Sequence, residues 1–181
     1  MIIDVQKFYS DFFNNGFYKI NDPQSFRFFP DIEICSWNNL KEQGLQLIKR
    51  DIYIEQAIKL TQKYIGENYI KMLDADYQLG EDCEVVNGMD EPTLVWHNDA
   101  IEGYNLCVLL YFDTVDEDIG GKLSFREITT KSITGEFYPQ KYDIAFLNHC
   151  HRFEHKVEDL KLPLPRRVAS FNFHVNKLIT G

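Results

Sequence analysis

No stretch of this sequence approaches the roughly 18 consecutive apolar residues that a membrane-spanning helix needs. Met1-Ile2-Ile3-Asp4 has neither the basic start nor the long apolar run of a secretory leader, so no membrane association is expected. The four cysteines (Cys35, Cys83, Cys107, Cys150) stand far apart and never as a CxxC pair. That argues against a cysteine-based zinc site and for free thiols in a reducing, cytoplasmic setting. Basic residues are scarce: 19 Lys and Arg face 28 Asp and Glu, a net charge of −9, and no Lys/Arg run is longer than a pair such as Arg166-Arg167. A general nucleic-acid binder would carry the opposite balance. Internal repeats and low-complexity linkers are absent too. One domain over residues 1–181 is therefore expected, with its oligomeric state left open.

Rings are what the chain has in quantity. Its 14 Phe and 10 Tyr suggest an aromatic-lined core or pocket. Asp4 can cap a first helix whose apolar positions Val5, Phe8, Tyr9 and Phe12 follow i, i+3, i+4, i+7, ending at Asn14-Asn15-Gly16. Short extended segments are expected at 26–29 and 32–35. Asn39 and Glu42 form a capping-box pattern opening a helix through Ile48, and a further helix is expected over 51–65. Beyond Gly66 the pattern changes to strands, at 69–77, 93–97, 104–112, 122–126, 135–138, 143–147 and 167–175. Helices first and short strands afterwards predict a mainly β fold: an antiparallel sandwich or barrel with N-terminal helices packed on one sheet. Residues 1–66 would be helical support and 67–181 the core.

Trp96-His97-Asn98-Asp99 sets an imidazole and a carboxylate two residues apart at the end of an extended apolar run. In a strand, i and i+2 share a face, so both side chains could grip one metal ion. Chance nearly supplies such a pair, and its weight comes from the segments downstream of it. These are, in order, the strand Cys107-Val108-Leu109-Leu110-Tyr111-Phe112, the turn Gly120-Gly121 with Lys122-Leu123, the strand Tyr142-Asp143-Ile144-Ala145-Phe146, then His155-Lys156-Val157, and finally Arg167-Val168-Ala169-Ser170-Phe171.

This ordered set resembles the 2-oxoglutarate- and Fe(II)-dependent dioxygenases, most of all their prolyl-hydroxylase-like branch. The resemblance covers residues 97–175, under half of the chain. It implies a double-stranded β-helix (jelly roll) and a 2-His-1-carboxylate iron site made of His97, Asp99 and His155, with positions left open for 2-oxoglutarate and O2. It also implies an oxygenase that decarboxylates 2-oxoglutarate to succinate while hydroxylating a C–H bond. An arginine is needed at the far carboxylate of the cosubstrate, because its planar fork pairs bidentately. Arg167 is favoured over Arg166, since the same-face row from it (Ala169, Phe171, Phe173) is apolar, with Phe173 lining the pocket. Tyr111, Leu123 and Tyr77 are the further candidates for the cosubstrate pocket, although each could equally be core or edge. His149 and His151 read as pocket-rim or surface residues. The acidic run Asp113, Asp116, Glu117, Asp118 reads as a solvated loop, and the loops 80–91 and 113–120 as the substrate gate. Because Asp99 retains its carboxylate, hydroxylation is favoured over halogenation.

The expected substrate is a prolyl or other residue in a peptide or protein, and next a free amino acid or other small metabolite. A cupin-like metal-binding module without catalysis is the alternative from another class.

Overall fold

The computed structural model describes residues 4–29, 46–65, 72–82, 95–98, 106–162 and 166–175. The first helix, α1 (Val5–Asn15), opens where Asp4 caps it: the Lys7 N–H donates to Asp4 Oδ1 at 3.0 Å. Phe8 and Phe12, one turn apart, are its buried face. Gly16 ends it at φ +88°, and a Cβ there would come within 2.8 Å of the Phe153 ring. Both the left-handed backbone and the close approach therefore call for glycine.

The chain then enters strand β1 (Phe17–Asn21), which the sequence pattern did not reveal. In place of the extended segment expected at 26–29, a 3-10 turn forms over Ser25–Phe28. The Asp22 carboxylate causes this, accepting from the Gln24 N–H at 3.1 Å and from Ser25 Oγ at 2.7 Å. The expected extended segment at 32–35 and the helix start at 39–45 lie outside the described residues. The second described helix, α2 (Gln46–Ile65), runs unbroken through residues 49–50, where two helices were expected to meet. No Gly or Pro falls between 46 and 65 to interrupt it.

Among the described residues seven more strands follow: β2 (Met72–Asp82), β3 (Leu106–Tyr111), β4 (Leu123–Glu127), β5 (Ile133–Phe137), β6 (Asp143–Asn148), β7 (Phe153–Val157) and β8 (Arg166–Val175). They form two antiparallel sheets, a five-stranded one in the order β1-β6-β3-β8-β2 and a three-stranded one in the order β5-β4-β7. The mainly β class and the N-terminal helix thus match expectation. β7 was missed because its Phe-Glu-His-Lys-Val alternation hides a histidine where an apolar residue would mark the period.

Strand alternation divides the interior in two. On one face of the larger sheet, Leu106, Val108, Leu110, Ile144, Phe146, Ala169, Phe171 and Phe173 pack against Phe8, Phe12, Leu60 and Tyr64 of the helices. On its other face Cys107, Tyr111, Ala145 and Leu147 meet Leu123 and Phe125 of the smaller sheet, with Phe17, Leu109, Phe137, Val157 and Val168 partly buried around them. The helix-side core glues the layers; the space between the sheets is where the chemistry-bearing residues converge. Among the described residues no helix is long and apolar enough to cross a membrane.

Candidate metal centre

β7 carries the site. On one side it pairs with β4, in a register that sets His155 opposite Phe125. On its other side lies His97, which exchanges both backbone hydrogen bonds with His155 (3.0 and 2.9 Å) in an isolated antiparallel bridge. Residues paired directly across strands share a face. The two imidazoles are therefore neighbours, their ring centroids 4.3 Å apart. Phe125 flanks His155 at 5.8 Å.

Contacts from both faces dock the short His97 segment. Besides the backbone bridge, Asn98 Nδ2 donates to Cys150 O at 2.9 Å and also to Phe153 O, tying the segment to the turn that leads into β7. On the opposite face, the Trp96 ring is covered by the Arg126 guanidinium at 4.1 Å and by Lys156 Nζ at 5.4 Å. Arg126 is itself held by Glu154 of β7 at 2.5 Å. A strand was expected over 93–97; residues 93–94 lie outside the described set, and a single bridge at His97 takes its place.

The donor chemistry suits a cation. His97 Nδ1 lies 2.8 Å from Val95 O, and a carbonyl oxygen only accepts, so Nδ1 donates there and Nε2 is the nitrogen left to face a metal. Burial, and then the neighbouring His97, push the His155 imidazole down to about 3, so that near neutral pH it is uncharged. Two imidazoles side by side, their ring centroids 4.3 Å apart, fit two positions of one metal ion. Asp99, the expected third ligand, lies outside the described residues.

The other candidates separate by face. Tyr111 and Leu123 are fully buried between the sheets, on the same side as His155, with Tyr111 edge-on to Phe137 at 6.3 Å. Phe173 does not join them: it lies in the helix-side core, and Ala169 and Phe171 with it. The apolar row that favoured Arg167 is thus the row packed on the helices, and Arg167 falls in its alternation. Arg166 alternates instead with Val168, which belongs to the intersheet cluster, and with Ser170, whose Oγ is 3.3 Å from Cys107 Sγ. Tyr77 is the register partner of Phe171.

His149 is the residue whose place the sequence pattern did not give away. It is buried, and its ring stacks on His155 at 5.5 Å with 4° between the planes. The signal was present: Ala145, Leu147 and His149 continue one inward alternation. His151 is exposed, as expected.

Loop 113–120, expected to gate the site, is bonded down. Asp116 Oδ1 accepts from the Asp118 and Ile119 N–H groups, Gly120 bridges Leu160, and the Lys161 N–H donates to Ile119 O at 2.7 Å. Its exposed Asp116, Glu117 and Asp118 agree with a solvated acidic run. Residues 83–91 of the other expected gate lie outside the described set.

Two antiparallel sheets with helices on the larger one are the fold of the prolyl hydroxylases and of related α-ketoglutarate-dependent enzymes. The chain is similar to a prolyl hydroxylase from Trichoplax adhaerens, solved in complex with a hypoxia inducible factor oxygen degradation domain peptide fragment, at TM-score 0.61 and 14% identity over 93% of this chain and 88% of that one. It is similar to a Pseudomonas putida prolyl-4-hydroxylase at TM-score 0.60 and 12% identity over 93% of each chain. It is also similar to the non-heme α-ketoglutarate-dependent epimerase SnoN of nogalamycin biosynthesis, at TM-score 0.60 and 12% identity over 93% of this chain and 81% of that one. No family model and no curated relative matches the sequence. At these identities the likeness is one of fold.

Proposed function

We propose that the chain is a 2-oxoglutarate- and Fe(II)-dependent oxygenase that hydroxylates a prolyl or other residue of a peptide or protein. Its two sheets would be the halves of a double-stranded β-helix, within a single domain over residues 1–181. The observation that carries this reading is the pairing of His97 with His155 on the inner face of a fold shared with prolyl hydroxylases.

His97, through Nε2, and His155 would hold Fe(II) together with the Asp99 carboxylate, leaving the remaining positions to 2-oxoglutarate and O2. Bound Fe(II) supplies the oxidative decarboxylation of 2-oxoglutarate to succinate and the coupled C–H oxidation. The protein binds, orients and excludes water. Burial keeps His155 uncharged and therefore available as a ligand. Arg166, in the intersheet alternation of Val168 and Ser170, is the arginine we assign to the distal carboxylate of the cosubstrate. Tyr111 and Leu123 would wall that space, beside Cys107, Ala145 and Phe125 of the same intersheet cluster.

A peptide substrate is favoured because a fold neighbour was solved with a peptide fragment bound. A small-molecule substrate is the second reading, favoured by the epimerase among the neighbours. The test is succinate formation from 2-oxoglutarate under Fe(II) and O2, with prolyl peptides and free amino acids supplied in turn. Stimulation by a peptide supports the first reading and stimulation by an amino acid the second. Iron binding with no 2-oxoglutarate turnover under any condition would leave a non-catalytic cupin-like module.

A further inference from the structure

We infer that His149 is a positioning residue that sets the ring plane of His155; this rests on the reading of His155 as a metal ligand. The two imidazoles stack at 5.5 Å with their planes 4° from parallel, so a turn of the His155 ring about its long axis would drive its edge toward His149. Phe125 stands 5.8 Å from the same ring, and His97 4.3 Å. His155 is thus surrounded by three rings, and His149 is the one whose plane matches its own.

A positioning residue must itself be held, and the bonds on either side of His149 do this. Asn148 is fixed to the end of α1: its N–H donates to Gly16 O at 2.8 Å, and its Nδ2 donates to Phe12 O at 3.2 Å. The Asn148 Oδ1 accepts from the Cys150 N–H at 3.1 Å, closing an Asx turn across position 149. The Cys150 carbonyl in turn accepts from Asn98 Nδ2, the neighbour of His97. His149 therefore sits in a turn anchored at once to the helix layer and to the segment carrying the first histidine. Because of this anchoring, the 149 ring can serve as a fixed wall against which His155 is set.

The test is Co(II) titration of the full chain, reading both affinity and the visible d–d spectrum, which reports ligand geometry. His149→Ala should weaken Co(II) binding by about 10- to 100-fold, the usual effect of removing a group that orients a ligand, and should alter the spectrum of the remaining bound form. His149→Phe keeps a flat ring and should restore affinity and spectrum. His151→Ala, an exposed imidazole two residues on, should change neither. Circular dichroism of each variant separates loss of the site from loss of the fold. Equal affinity and spectrum in His149→Ala and the unaltered chain would overturn the inference alone. So would a His149→Phe variant as impaired as His149→Ala, because a nitrogen, not a stacked ring, would then be needed. Failure of the unaltered chain to bind Co(II) or Fe(II) would instead overturn the metal-site reading, and this inference with it.

Discussion

Two adjacent arginines differ by one position and, through strand alternation, by the face of a sheet. Arg166 alternates along β8 with Val168 and Ser170, which lie between the sheets, and Arg167 with Phe171 and Phe173, which lie under the helices. Arg166→Ala is therefore expected to weaken 2-oxoglutarate binding by roughly 2–5 kcal/mol, the cost of stripping one partner from a desolvated charge pair. Arg167→Ala should shift it only slightly. Calorimetric titration of 2-oxoglutarate into anaerobic, metal-loaded protein ranks the two, and the reverse order would return the assignment to Arg167. The sequence showed the apolar row correctly, but apolar rows occur on both faces of a sheet covered on both sides. Only the packing of Phe8 and Phe12 on one of those faces tells them apart.

Among the elements, the connection from β3 to β4 shows how glycine fixes a loop. Gly120 has φ +84°, and a Cβ at that position would lie 2.3 Å from Asp159 O, a backbone atom that cannot swing aside. Gly120→Ala is expected to cost at least about 1–3 kcal/mol and to loosen the 158–161 segment from the loop. Urea unfolding measures the first effect and hydrogen exchange at the Gly121 and Lys161 amides the second; unchanged values in both would sink the assignment. At this scale the sequence was most legible where the period was clean. The α1 caps, β3, β4 and β6 fell close to expectation, because Asp4, Gly16 and runs such as Leu106–Tyr111 carry local signals. β1 and β7 were not legible, since their places in the sheets depend on partners more than 100 residues away for β1 and on a histidine in mid-strand for β7.

In the molecule as a whole, the Asp22 carboxylate joins the 3-10 turn to α2 and so ties the end of the β1 segment to the helix layer. It accepts from Lys63 Nζ at 2.7 Å, from Ser25 Oγ at 2.7 Å and from Tyr64 Oη. Burial alone would raise its pKa, but the hydrogen bonds from Lys63, Ser25 and Tyr64 outweigh burial and hold it well below the usual carboxylate range. The unfolded chain takes up this proton near pH 4 while the folded protein resists it, so the carboxylate's stabilisation is complete above about pH 4 and is lost as pH falls below that toward its folded value. Asp22→Asn should lower thermal stability at neutral pH and flatten this acid limb of a melting-temperature profile; an unchanged acid limb would remove Asp22 from the account. By itself the sequence determined the mainly β class with a capped N-terminal helix and the spacing of His97, Asp99 and His155 that made an iron site worth seeking. These are local matters of periodicity, capping and residue chemistry, each carried within a few neighbouring positions. Tertiary structure decided which face of β8 looks toward the histidines, that loop 113–120 is bonded in place, and that His149 lies buried against His155. Those outcomes depend on which distant surfaces pack together, and a pattern of alternation is the same whichever of its two faces is turned inward.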